Sequence, residues 1–264
     1  RLPRIDWAIG QVEKEHKWLP KLAPFLPLEV PVPLAKGEPD EGYPYQWSVQ
    51  KWIEGENAAD ADITDLSRAA LDLADFLKAL RQIDTTGGPP AATENTRGMP
   101  LALRDKATRM AIAALDDMNM IDAHAATAVW EAALHAPDST QEPVWFHGDL
   151  LSGNLLVKQG QLHAVIDFGC LAVGDPTCDL MIAWSLFTGE SRDLFREALA
   201  VDDATWIRGR GHSLSQAAIF IPYYLHTNPV GVRNARHMIE QVFADYAARK
   251  RGGGQACPCR WANG

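Results

Sequence analysis

Residues 146–169 constrain the fold more tightly than any other stretch of the chain. Three short β-prone pieces, 144–146, 155–157 and 164–166, are separated by polar segments, and Gln159-Gly160-Gln161 reads as a turn between the last two. The first piece leads into His147-Gly148-Asp149 and on to Asn154, and the third runs straight into Asp167-Phe168-Gly169. A loop that leaves one strand at Asp149 and enters another at Asn154 turns both polar side chains into one cleft. The hairpin that follows returns Asp167 to the same place.

Three converging oxygen-bearing side chains suit phosphoryl transfer, in which a protein mostly positions groups and neutralises charge. Mg²⁺ is a hard cation that prefers oxygen ligands and keeps several waters, so Asn154 and Asp167 with nucleotide phosphates make a reasonable coordination set. Asp149 is left for the attacking hydroxyl. His147 reads as a packed histidine that holds the loop through its ring nitrogens, and Phe168 as packing beneath the site.

These residues resemble the catalytic and metal-binding loops of the aminoglycoside phosphotransferase family, which shares the protein-kinase-like fold. Gly148, where protein kinases usually carry Arg, favours the small-molecule branch. The resemblance implies Asp149 as catalytic base, Asn154 and Asp167 as Mg²⁺ ligands, and ATP or GTP as donor. It extends to Gly174-Asp175-Pro176-Thr177-Cys178-Asp179-Leu180, similar to the family's G-D-P-x-x-D-L, which implies that Asp179 braces the catalytic-loop backbone and that Asp175 shapes the same region. Residues 47–55 look like the last strand and hinge of the N-terminal lobe, which places Gln50 and Trp52 beside the nucleotide. Arg1-Leu2-Pro3 is similar to the end of the strand carrying the phosphate-binding basic residue, with Arg1 in place of the usual Lys and Glu15 as its ion-pair partner.

The family's first two strands and phosphate-covering loop would precede Arg1. The expected fold is therefore α+β and bilobal: a truncated N-terminal β-lobe that binds nucleotide, 1–53, and a mostly helical catalytic and acceptor-binding lobe, 54–251. The glycine-rich stretch 252–264 is expected to be a disordered tail. Helices are predicted over 11–26, where Val12, Trp18, Leu19, Leu22 and Leu26 share a face, and over 63–80, capped by Asp60 or Asp62. Further helices are expected over 101–118, 122–135, 178–187, 191–199, 204–226 and 232–250. Residues 29–34 and 45–52 read as strands around a turn, and 85–100 as an irregular loop.

A formal net charge of −9 excludes nonspecific nucleic-acid binding and favours a cationic substrate. No apolar run reaches the about 20 residues a membrane helix needs. Cys170, Cys178, Cys257 and Cys259 form no disulfide framework, which fits a reducing cytoplasm. The expected activity is transfer of the γ-phosphate of ATP or GTP to a hydroxyl of a small molecule, foremost an aminoglycoside-type, polycationic antibiotic. The alternatives are a macrolide or metabolic kinase and a noncatalytic nucleotide-binding module. Asp179, Glu190, Glu240 and Asp245 are candidate carboxylates for a polycationic acceptor, and Trp206, Tyr223, Tyr224 and His226 candidate aromatic walls.

Overall fold

The structure is a computed structural model that describes residues 1–4, 9–93 and 95–252. Helix α1 (Ile9–Leu22) is followed by a 3₁₀ turn, Ala23–Phe25, and turns Val12, Trp18, Leu19 and Leu22 inward. Strands β1 (Pro33–Gly37) and β2 (Trp47–Gln50) form an antiparallel pair with Gly37 opposite Trp47. Gly37 thus closes a strand instead of opening the turn the sequence suggested. Residues 29–32 do not extend β1, because Glu29 bonds elsewhere: its N–H donates to the His163 carbonyl (3.1 Å) and its own carbonyl accepts from Val165 N (3.0 Å).

A second sheet has the order β3-β5-β6, from β3 (Glu56–Asn57), β5 (Leu155–Lys158) and β6 (Gln161–Val165). Strand β4 (Val144–Phe146) pairs instead with β7 (Ala172–Gly174). The sequence reading missed β7, a three-residue piece too short to show a period. The irregular loop at 85–100 lies along it, through bonds between Pro89, Ala91 and Val173.

The remainder is helical: α2 (Leu66–Gln82), α3 (Asp105–Asp117), α4 (Ala123–Leu134), α5 (Ile182–Ser185), α6 (Gly189–Ala198), α7 (Asp203–Tyr224) and α8 (Pro229–Gly252). Asp65, not Asp60 or Asp62, caps α2 by accepting from Arg68 N. The helix starts late because the preceding residues are tied to the sheet, Ala58 N to the Leu155 carbonyl and Thr64 N to that of Gly160. The helix expected over 178–187 is a 3₁₀ turn, Pro176–Met181, followed by the single turn of α5. The tail expected to be disordered lies, beyond Gly252, outside the described residues.

One contiguous apolar core joins α1 to the helices, with Trp18 against Trp145 at 4.8 Å between ring centroids and Trp184 against Trp206 at 4.6 Å. Each fully buried aromatic of this kind contributes about 2–3 kcal/mol. The catalytic-loop motif therefore sits on a packed floor.

Candidate active site

The loop from His147 to Asn154 is held from beneath by one buried carboxylate. Asp179 accepts from His147 N at 3.0 Å and from Gly148 N at 2.7 Å. Burial pushes its carboxyl up in pKa, and the His147 ring and the two N–H donors hold it down. The His147 ring bridges the loop to the strand end beside it: Nε2 meets the Ile166 carbonyl at 2.9 Å, and Nδ1 accepts from Asp149 N at 3.1 Å. Its ring also packs edge-on against Phe168. Gly148 has φ +85°, and a Cβ there would stand 2.7 Å from the Cys170 carbonyl oxygen. An arginine at this position would meet both obstacles, so glycine is required locally.

Asn154 donates from Nδ2 to the Asp149 carbonyl (2.7 Å) and to Asp149 Oδ2 (3.2 Å). That leaves Asn154 Oδ1 free to ligate a cation. Asp167 occupies the left-handed region at φ 61°, an uncommon conformation for a residue with a Cβ, and its side chain is half exposed. Two oxygen donors without a third carboxylate fit Mg²⁺, which takes the rest of its shell from phosphate and water. Among the described residues no group of three or more His, Cys, Asp or Glu gathers as a self-sufficient metal cage.

Two clefts flank the Asp167–Gly169 turn. The first, about 480 Å³, is lined by Arg1, Gln50, Trp52, Leu156 and Asp167 among others. Arg1 bridges its wall: one guanidinium nitrogen pairs with Glu15, and the other lies 2.8 Å from both Asp167 Oδ1 and Gln11 Oε1. Glu15 is fully buried, and Gln50 donates to its second oxygen at 2.8 Å. Burial pushes the Glu15 carboxyl up, and Arg1 opposes that. Trp52 is 86% exposed at the rim, so its indole is free to meet a planar ligand. Asp175 faces neither oxygen cluster directly. It caps the 3₁₀ turn that carries Asp179, accepting from Thr177 N at 2.9 Å.

The second cleft, about 770 Å³, lies on the other side, between α1, the 85–100 loop, α3 and α7. Its link to the catalytic loop is Arg97, whose Nη2 stands 2.8 Å from Asp149 Oδ1. The two groups attract as charges but lack hydrogen-bond alignment, since Oδ1 is buried with no hydrogen-bond partner. Arg97 also donates to Cys170 Sγ at 2.6 Å. The sequence reading missed Arg97, which lies in a segment with no periodicity. The only available signal was an arginine between Thr96 and Gly98 in a loop, and loops carry function.

None of the carboxylates proposed from sequence for the acceptor lines this cleft. Asp179 is spent on the catalytic loop, Asp245 pairs with Arg210 at 3.0 Å inside the helical core, and Glu190 and Glu240 face solvent. The aromatic candidates fail similarly: Trp206 is core, Tyr223 is 77% exposed, and none of the four lines the cleft.

A family model described as the phosphotransferase enzyme family matches residues 1–212. No curated protein matches the chain. Among solved structures, the GDP and kanamycin complex of APH(2'')-IIia has a TM-score of 0.64 at 21% identity, covering 94% of this chain and 86% of that one. The streptomycin–ATP ternary complex of APH(2'')-IIa gives 0.54 at 18%, with 92% and 85% covered. Macrolide 2'-phosphotransferase MphH from Brachybacterium faecium gives 0.55 at 21%, with 90% and 82% covered. At these identities the likeness is one of fold, protein-kinase-like with small sheets and a helical bulk.

Proposed function

The chain belongs to the phosphotransferase enzyme family, and from that premise we propose that it moves the terminal phosphoryl group of ATP or GTP to a hydroxyl of a small molecule. The observation that supports the reading is that Asn154 bonds directly to Asp149, while the neighbour of Asp167, Ile166, donates its N–H to the Asn154 carbonyl and Asp167 itself is tied to Arg1. In this reading residues 1–53 supply the nucleotide side and residues 54–251 the catalytic and acceptor side. The triphosphate lies in the cleft of Arg1, Gln50 and Trp52, a site type that the GDP, ADP and ATP complexes among similar folds support.

Asp149 accepts the proton of the acceptor hydroxyl as its oxygen attacks phosphorus, and the leaving oxygen departs on the nucleoside diphosphate. Mg²⁺, held by Asn154 Oδ1 and Asp167, supplies charge neutralisation on the phosphates when bound. Arg1 keeps Asp167 aimed into the cleft, and Asp179 with His147 fixes the loop so that Asp149 does not swing away. The helices give no membrane span: none among the described residues is long and apolar enough to cross one.

An aminoglycoside-type acceptor has support from the kanamycin, gentamicin and streptomycin complexes of similar folds. A hydroxyl acceptor of the macrolide kind has equal support in fold. Mass spectrometry of candidate alcohols incubated with Mg²⁺ and ATP or GTP tests the reaction class. We expect the mass gain of one phosphoryl group with the chain as it stands, and a loss of about 10²–10⁴-fold in rate in Asp149→Asn with nucleotide affinity retained. Undiminished transfer by the variant would remove Asp149 from the reaction.

A further inference from the structure

The second cleft is cationic in a protein whose net charge is −9. Its charged lining among the described residues is Lys14, Arg97 and Arg104, and no carboxylate joins them. Arg97 has Asp149 as counterion, but neither Lys14 nor Arg104 has an ion-pair partner among the described residues. Lys14 spends its ammonium on the Gly169 carbonyl at 2.7 Å.

Arg104 is the more telling group, because it is 93% buried by its 7% exposure and yet bonds only to neutral partners among the described residues. Its Nε donates to Ser215 (2.9 Å), and its other nitrogens reach Thr96 (3.0 Å), the Asn95 carbonyl (3.3 Å) and Gln216 (3.3 Å). These contacts hold the guanidinium at the wall of the cleft without cancelling its charge. A buried cation without a counterion is costly, and a bound anion would relieve that cost. Burial, followed by the charge of Arg97, pulls Arg104 down to about 10, so it stays cationic at neutral pH. The buried His212 nearby is held neutral by burial and by the fields of both arginines.

We infer that the acceptor is an anionic alcohol, a small molecule carrying its reacting hydroxyl beside a carboxylate or phosphate that Arg104, Arg97 and Lys14 hold. This rests on the phosphotransferase reading of the same site and names its acceptor class, opposite in charge to an aminoglycoside. The geometry gives the anion a second task. Arg97 stands against Oδ1 of Asp149, the carboxylate that takes the hydroxyl proton in this reading, in contact without hydrogen-bond alignment. An acceptor anion that draws Arg97 to itself clears Asp149 for the hydroxyl. Gln11, Asn95 and Gln216 supply neutral donors and acceptors for further hydroxyls, and the cleft volume lies within the range of small-molecule sites.

The test uses the whole chain, saturated with Mg²⁺ and a nonhydrolysable ATP analogue, and four probes on one polyhydroxyl skeleton: gluconate, glucose 6-phosphate, glucose and glucosamine. Calorimetric affinities are measured for each, with kanamycin as a polycation. We expect at least one of the two anions to bind about tenfold or more tightly than glucose, a difference of about 1.4 kcal/mol, and glucosamine and kanamycin to bind worst. The better anion tells carboxylate from phosphate.

Arg104→Met should abolish that preference and Arg104→Lys retain part of it, with the affinity for the ATP analogue unchanged in both. Lys14→Met repeats the test at a partly exposed position, should Arg104→Met fold poorly by its melting curve. Preference for glucosamine or kanamycin, equal affinities, or no binding of any probe at about 10 mM, the weak end of specific recognition, overturns the proposal. So does an Arg104→Met variant that loses the nucleotide as well, since the cations would then serve the triphosphate. Failure of the ATP analogue itself to bind marks instead the failure of the phosphotransferase reading.

Discussion

The two clefts on either side of Asp167–Gly169 hold similar numbers of cations in opposite electrostatic circumstances. On the side of Arg1, the guanidinium lies between Glu15 and Asp167, and both carboxylates are its neighbours before any ligand arrives. On the side of Arg104, two of three cations lack a carboxylate partner among the described residues. A paired cation sets the position of its partners, whereas a buried one without a carboxylate partner leaves its charge open to the anion inferred above. The same residue type thus works as scaffold in one cleft and as bait in the other.

The largest effect should come from the buried carboxylate that holds the 147–154 loop. Asp179→Ala leaves the buried N–H groups of His147 and Gly148 without acceptors, so denaturant melts should show a loss of about 4 kcal/mol. Asp179→Asn, which keeps one acceptor, should lose roughly half of that. Loss of binding in one cleft alone would separate the clefts that this geometry joins.

The contrast between the two walls is sharpest in a matched pair of substitutions. Arg1→Met leaves Glu15 buried beside an uncharged chain and should cost about 3 kcal/mol of stability. Arg104→Met removes four hydrogen bonds together with a buried charge that has no carboxylate partner among the described residues, so relief of desolvation offsets part of the loss and the cost should stay at about 1–2 kcal/mol, below that of Arg1→Met. Equal losses in the two variants would mean that Arg104 is as structural as Arg1.

Acid offers the smallest probe. His212 is buried, and its folded-state pKa is depressed well below 6.5 by burial and by Arg104 and Arg97. Its contribution to stability is therefore present above the unfolded pKa and is lost as pH falls below about 6.5, at up to about 1.4 kcal/mol per pH unit. Melting temperatures from pH 7.5 to 5 should fall accordingly, and His212→Phe should flatten that slope. An unchanged slope in the variant would assign the acid sensitivity to other groups.

The strand-loop-strand frame that carries the proposed site was legible in the chain because it is written in short, ordered motifs. Asp149, Asn154 and Asp167 follow from strand-loop-strand spacing, and the Arg1–Glu15 pairing followed from a resemblance. The acceptor side was not legible for a physical reason: Arg97 and Arg104 reach the site by tertiary placement of a loop without period and of the turn before α3. Net charge gave no sign of these cations, since −9 is a total over the whole chain while the charged lining of the second cleft among the described residues is Lys14, Arg97 and Arg104. Glu190 and Glu240 are examples, exposed acids that contribute to the total and line neither cleft. The missed β7 and the late start of α2 share this origin, because both are fixed by backbone bonds to distant segments.

The convergence of residues 149, 154 and 167 is tested most directly by anomalous diffraction from crystals grown with Mn²⁺ and a nonhydrolysable ATP analogue. We expect a manganese peak within ligating distance of Asn154 Oδ1 and the Asp167 carboxylate, with the terminal phosphate turned toward Asp149. A metal bound away from both side chains, or a triphosphate pointing away from Asp149, would contradict the site described above.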